Sequence, residues 1–160
     1  MTDKELLADI YRQQSGSLAA HLSDFSEADM LVRPAEKANH AAWHVGHLAG
    51  TFGALINMGM PGSFRAETQE FIHRHTGKGA HLNDGFAPKA ELLAKFDDAN
   101  ERAIQWMLAL SDADKARSIE KLKGFAPTVG HLVHVLPNHI NMHIGQIQVI
   151  RRMLGKPVLF

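Results

Sequence analysis

The segment Thr128–Gly155, TVGHLVHVLPNHINMHIGQIQVIRRMLG, decides the fold, because apolar helical periodicity and chemically capable side chains share the same positions in it. Steps of four and three residues along it give a seam of Leu132, Leu136, His139, His143, Gln146, Ile150 and Met153. Such a seam belongs to a helix that turns one face to a bundle core, yet its middle three members are polar. Two imidazoles and an amide in a seam are costly unless each has a partner, and a metal ion would be one. Residues four apart on a helix stand about 5–6 Å apart at Cβ. His139 and His143 can therefore reach one ion at about 2.0–2.1 Å. Gln146 falls between them on the helical wheel, where it can hydrogen-bond a bound water or substrate. The competing reading is a chance pair in a chain with 11 histidines; the placement of both in the seam argues against it.

Three further long helices precede this one. Thr2 and Glu5 form a T-x-x-E capping box ahead of a helix from about Asp3 to His21, with Leu7, Tyr11, Leu18 and Phe25 in a bundle stagger and His21 as a core or rim histidine. Ser26 to Asp29 repeats the cap pattern before a short turn that Arg33-Pro34 ends, since the residue before proline is pushed out of the α region. A second helix is expected from about Asn39, as cap, to Met58. Ala41, Val45, Leu48, Phe52 and Leu55 give it an apolar face, and Gly46, Gly50, Gly53 and Ala54 a small one. Glycine inside a helix costs up to about 1 kcal/mol relative to alanine, so this concentration implies close packing or a pocket. His40, His44 and His47 all lie here; His47 borders the small face and His44 lies nearer the apolar stripe, so geometry alone does not choose the ligand between them, and structural or rim placement is the default for His40 and His44.

Between Gly59 and Phe86 periodicity fades and glycines accumulate. A connection this long in a compact domain is usually functional or mobile; a short helix around Glu67 to His75 is expected, covering a pocket mouth, with His73, His75 and His81 at the surface. Pro88 suits the first turn of a third helix, Lys89 to Leu110, with a seam of Leu92, Phe96, Ala99, Ala103, Met107 and Leu110. A charged connector, Ser111 to Phe125, leads to the fourth helix, opened by Pro127. Inside it, Pro137 removes the bond to the carbonyl of Val133. Four amphipathic helices without a strand pattern or repeat predict an all-α four-helix bundle, up-down-down-up or up-and-down, in a single domain spanning 1–160.

Composition narrows the chemistry. The 160 residues are 45% hydrophobic and 21% charged, as in ordinary globular proteins. Lys plus Arg and Asp plus Glu both number 17, which argues against nucleic-acid binding. The one basic cluster, Arg151, Arg152 and Lys156, sits where cations suit a helix C-terminus. Cysteine is absent, so thiolate ligation and a cysteine nucleophile are excluded. Any metal must be held by nitrogen and oxygen. MTDKELL has no apolar signal core and no apolar run approaches the roughly 18–20 residues of a membrane span; no membrane association and a cytoplasmic location are expected.

Taken in order, Gly46-His47-Leu48-Ala49, then His139, His143, Gly145 and Gln146, then Leu154-Gly155-Lys156-Pro157 resemble the DinB-like family of bacterial four-helix-bundle metalloproteins. The stretch LSDFSEADMLVRPAEKANHAAWHVGHLAG is similar to that family's approach to its second helix. The resemblance covers nearly the whole chain apart from the Gly59 to Phe86 connection. It implies a divalent metal (zinc, nickel, iron or manganese) held by His47, His139 and His143, and so picks out His47 where geometry alone does not. It also implies a small-molecule substrate, in some members a low-molecular-weight thiol activated for transfer, and a homodimer. Trp43, Phe52 and the tail Val158-Leu159-Phe160 are then candidates for the dimer interface. A zincin-type peptidase is disfavoured, because Ile140, Asn141 and Met142 put no glutamate between the two histidines. The expected activity is a metal-dependent thiol S-transferase or hydrolase; the alternative is a non-catalytic metal-binding or stress-response bundle.

Overall fold

The computed structural model describes residues 2–77 and 79–159. Four long helices build the body: α1 Asp3–Leu22, α2 Ala41–Gly59, α4 Lys89–Ala109 and α6 Val129–Met153. Two short ones, α3 Gln69–Arg74 and α5 Asp112–Lys115, lie in the connections. Among the described residues there is no strand, only an isolated antiparallel bridge between Ser118 and Thr128. The capping box at α1 forms as the sequence predicts: the Thr2 hydroxyl accepts from Glu5 N–H and the Glu5 carboxylate accepts from Thr2 N–H at 2.6 Å.

Hydrogen bonds at the helix ends fix the topology. Lys4 Nζ donates to the carbonyls of Leu108 and Leu110 while Lys89 Nζ donates to those of Leu22 and Phe25, so α1 and α4 run antiparallel. Tyr11 reaches the carbonyl of Val133 and Arg151 that of His21, so α1 and α6 run parallel. His44 meets His143 near the start of α2, and Gly59, at its end, backs onto Val129 at the start of α6; these two are antiparallel. Each of α1 and α2 packs on both α4 and α6. The bundle is therefore up-down-down-up, and the up-and-down alternative is excluded. Phe52, Phe96, Leu18, Leu48, Ile104, Leu136 and Ile147 fill its centre, each fully buried.

Pro137 shows how the helices are tied. Lacking an N–H, it leaves the Val133 carbonyl without a helical partner, and the buried Tyr11 hydroxyl donates to that carbonyl at 2.7 Å. The buried face of α6 runs through Leu132, Leu136, Ile140, His143, Ile144, Ile147, Ile150 and Arg151. Gln146 and Met153 are exposed, so the strict four-three seam drifts off the true face. A straight helix slips about 20° per heptad against such a seam.

Several positions differ from the sequence expectation. The cap of α2 is His40, not Asn39: its Nδ1 accepts from Trp43 N–H at 3.1 Å, and its ring is fully buried. An imidazole nitrogen here takes the role usually given to an amide or hydroxyl oxygen. His75 is 1% exposed, not at the surface, because Gly46 leaves the space its ring occupies; a Cβ at 46 would overlap that ring. The small face of α2 is thus the seat of the connection, with Gly50 against Phe71 and Ile72 and Gly53 against Ala66. Phe52 is core and Trp43 is 7% exposed, which removes both as interface candidates. Val158 is exposed; Phe160 lies outside the described residues. No helix among those described is long and apolar enough to cross a membrane.

Candidate metal centre

His47, from the first half of α2, faces His139 and His143, from the middle of α6. A ligand atom from each lies within 4.8 Å of the other two. Ring centroids are 5.2 Å apart for His47 and His139, 5.0 Å for His47 and His143, and 4.7 Å for His139 and His143. The helical spacing of four does what the sequence suggested: Nε2 of His139 and Nε2 of His143 stand 3.0 Å apart. Two nitrogens each about 2.0–2.1 Å from one ion, at angles between octahedral and tetrahedral, are separated by roughly 2.8–3.4 Å. The donor set therefore fits a metal.

The outer nitrogens are held by neighbours. His47 Nδ1–H donates to the carbonyl of His75 at 2.7 Å, which leaves Nε2 with its lone pair. His143 Nδ1 meets Nδ1 of His44 at 2.7 Å. His139 Nδ1, His44 Nε2 and His75 Nε2 are buried with no hydrogen-bond partner. Trp43 stacks on His47, with centroids 4.7 Å apart and planes 9° from parallel, and its indole N–H donates to the carbonyl of Thr76. Consecutive carbonyls of the connection thus hold both the imidazole and the ring stacked on it.

Burial pushes the imidazoles down the pH scale. His139 falls to about 4 through burial and then the nearby His47, and His143 falls further through burial and the imidazoles of His44, His139 and His47. Burial also lowers His47, against the opposing hydrogen bond to His75. All three are neutral near pH 7, the form that ligates metal.

Gln146 lies on the solvent side of α6, and no hydrogen bond among the described residues joins it to the triad. A cavity of about 580 Å³ lies at the other end of the bundle against Leu7, Met107, Leu110, Val133 and His134, and shares no residue with the triad. Beside His47 is a cavity of only about 30 Å³ between Gly46, Gly50, Thr51 and His75. This larger cavity is therefore not where the chemistry is. Trp43 and His75 escaped the sequence reading as parts of this centre, and His44, weighed there as a ligand, stands instead behind His143. One local signal existed: His44 is three residues before His47, on an adjacent part of the same helix face.

A family profile described as the DinB superfamily matches residues 10–147. A solved structure, the conserved protein of a locus from Enterococcus faecalis, superposes with a TM-score of 0.74 at 16% identity, covering 98% of this chain and 99% of that one. At that identity the likeness speaks for the fold. No curated protein matches the sequence.

Proposed function

The chain belongs to the DinB superfamily, and from that membership we propose that it is a cytoplasmic metal-dependent enzyme acting on a small molecule through His47, His139 and His143. One observation carries this reading: three neutral imidazoles from two helices converge, and no fourth histidine or carboxylate joins them among the described residues. Structural zinc sites close with four protein ligands, whereas three leave a position for substrate. A divalent ion there supplies Lewis acidity that polarises an oxygen or sulfur group and lowers its pKa. Zinc, nickel, iron and manganese all accept such donors. The chain's own residues do the rest: the His75 carbonyl fixes the tautomer of His47, and Trp43 fixes its plane and shields it from water.

The reaction class follows from the resemblance: transfer or isomerisation of a low-molecular-weight thiol adduct, or hydrolysis. Gln146, one turn past His143, is the proposed contact for substrate or water. A homodimer is part of the proposal, and the exposed Met142, Val149 and Met153 along one side of α6 suit it; sedimentation tests it. The test of the centre is metal analysis of protein purified without a metal-affinity step. The wild type should carry metal, and the variant with His47, His139 and His143 all changed to Ala should not. Equal content in the two refutes the site.

The small volume beside His47 favours a second reading, a non-catalytic bundle stabilised by its metal. Chelator that lowers the unfolding midpoint strongly, with no turnover across a panel of thiols and electrophiles, would select it.

A further inference from the structure

His143 is flanked by imidazoles at both ring nitrogens, with His44 at 2.7 Å from Nδ1 and His139 at 3.0 Å from Nε2. A neutral imidazole has one N–H and one lone pair, so only two arrangements exist. In one, His44 donates to Nδ1 of His143, Nε2 of His143 carries the proton, and that ring cannot ligate. In the other, Nδ1–H of His143 donates to His44 and the Nε2 lone pair is free. His47 has no such freedom, since its partner is a carbonyl that can only accept. We propose that His44 is a positioning residue: by accepting the Nδ1–H of His143 it holds that ring in the tautomer whose Nε2 faces the metal position.

This rests on the metal reading above. His44 is 1% exposed, and its own proton must then sit on Nε2, its other ring nitrogen. Outer partners of ligating histidines are commonly carboxylates, carbonyls or waters. Here the acceptor is an imidazole that is itself able to reverse the bond. Helix α2 thus supplies a ligand, His47, and one turn earlier the group that aims a ligand on α6.

The test uses the full chain with zinc as probe. His44→Leu keeps bulk without an acceptor; His44→Asn puts an amide oxygen near the position of Nδ1. Zinc affinity should fall about 10–100-fold in His44→Leu and return to within a few-fold of wild type in His44→Asn. Nitrogen-15 spectra of zinc-loaded wild type should show His143 protonated at Nδ1 and His44 at Nε2. Unchanged affinity in His44→Leu overturns the proposal, as does an equal loss in both variants. Should His44→Leu fail to fold, the wild-type spectra decide: a proton on Nδ1 of His44 in the loaded chain overturns it. A wild type that takes up no zinc overturns the metal reading and this one with it, whereas zinc uptake with an indifferent His44 sinks this one alone.

Discussion

Arg151 and His143 sit two turns apart on α6, and both are buried polar side chains, 1% and 3% exposed. Arg151 is closed by the chain itself. Its guanidinium donates to the carbonyls of His21 and Pro157 and to both carboxylate oxygens of Asp24, and Lys156 bonds the Asp24 carbonyl beside it. His143 finds only other imidazoles. A buried donor with a full set of acceptors holds the end of α1 to the end of α6. Imidazole nitrogens that converge in this way can take a cation from outside. The first cluster is structure, the second a candidate metal centre.

The comparison breaks most readily at Arg151. Arg151→Leu removes the buried guanidinium that ties α1 to α6 and strands the buried carbonyl of His21, at a cost of about 1–3 kcal/mol, or a fall of roughly 3–10 °C in Tm. Zinc affinity should not change, and a large loss of it would undo the division between the clusters.

Acidification acts on the other cluster. His44, His75 and His143 are held below their unfolded pKa by burial, His44 and His75 to about 4. Their stabilisation is complete above the unfolded value near 6.5 and is lost as pH falls from there toward 4. Each contributes about 1.4 kcal/mol per pH unit inside that window. Thermal melts of metal-free protein should therefore drop by roughly 5–10 °C from pH 6.5 to 5.5. Asp24 behaves differently: its bond to Arg151 holds the carboxyl below the usual range, so that ion pair should survive this window. A flat Tm between pH 7 and 5 would contradict buried neutral imidazoles.

Tyr11 is a second polar group closed from within. Tyr11→Phe leaves the Val133 carbonyl unpaired beside Pro137 and should cost about 1–3 kcal/mol in denaturant melts, with metal binding intact. Gly46→Ala should cost about 1–3 kcal/mol, because a Cβ there would overlap the buried His75 ring and alanine's helix preference offsets only part of that overpacking. It should also weaken zinc binding measured by calorimetry, since the displaced His75 carries the carbonyl that holds His47.

The four long helices were legible in the sequence because their signals are local: the Thr2 and Glu5 box, Pro88 before α4, and apolar positions at helical spacing. The order of the helices in space was not, since each amphipathic pattern suits either bundle topology equally. The pairing of His139 with His143 follows from spacing alone, and His47 from the resemblance. His75 was misread because the space for it is a missing side chain at Gly46, twenty-nine residues earlier. Arg151 was read only as a cation at a helix end because its partners, His21 and Asp24, come from the far end of the chain. Trp43 was taken for a surface residue because nothing nearby in sequence announces the ring it stacks on.

The central claim is that imidazoles from α2 and α6 meet on one ion. X-ray absorption of the zinc-loaded chain should show three imidazole donors, falling to two or to no bound zinc in His47→Ala. A spectrum with three imidazoles in both proteins would place His47 outside the centre and contradict the account.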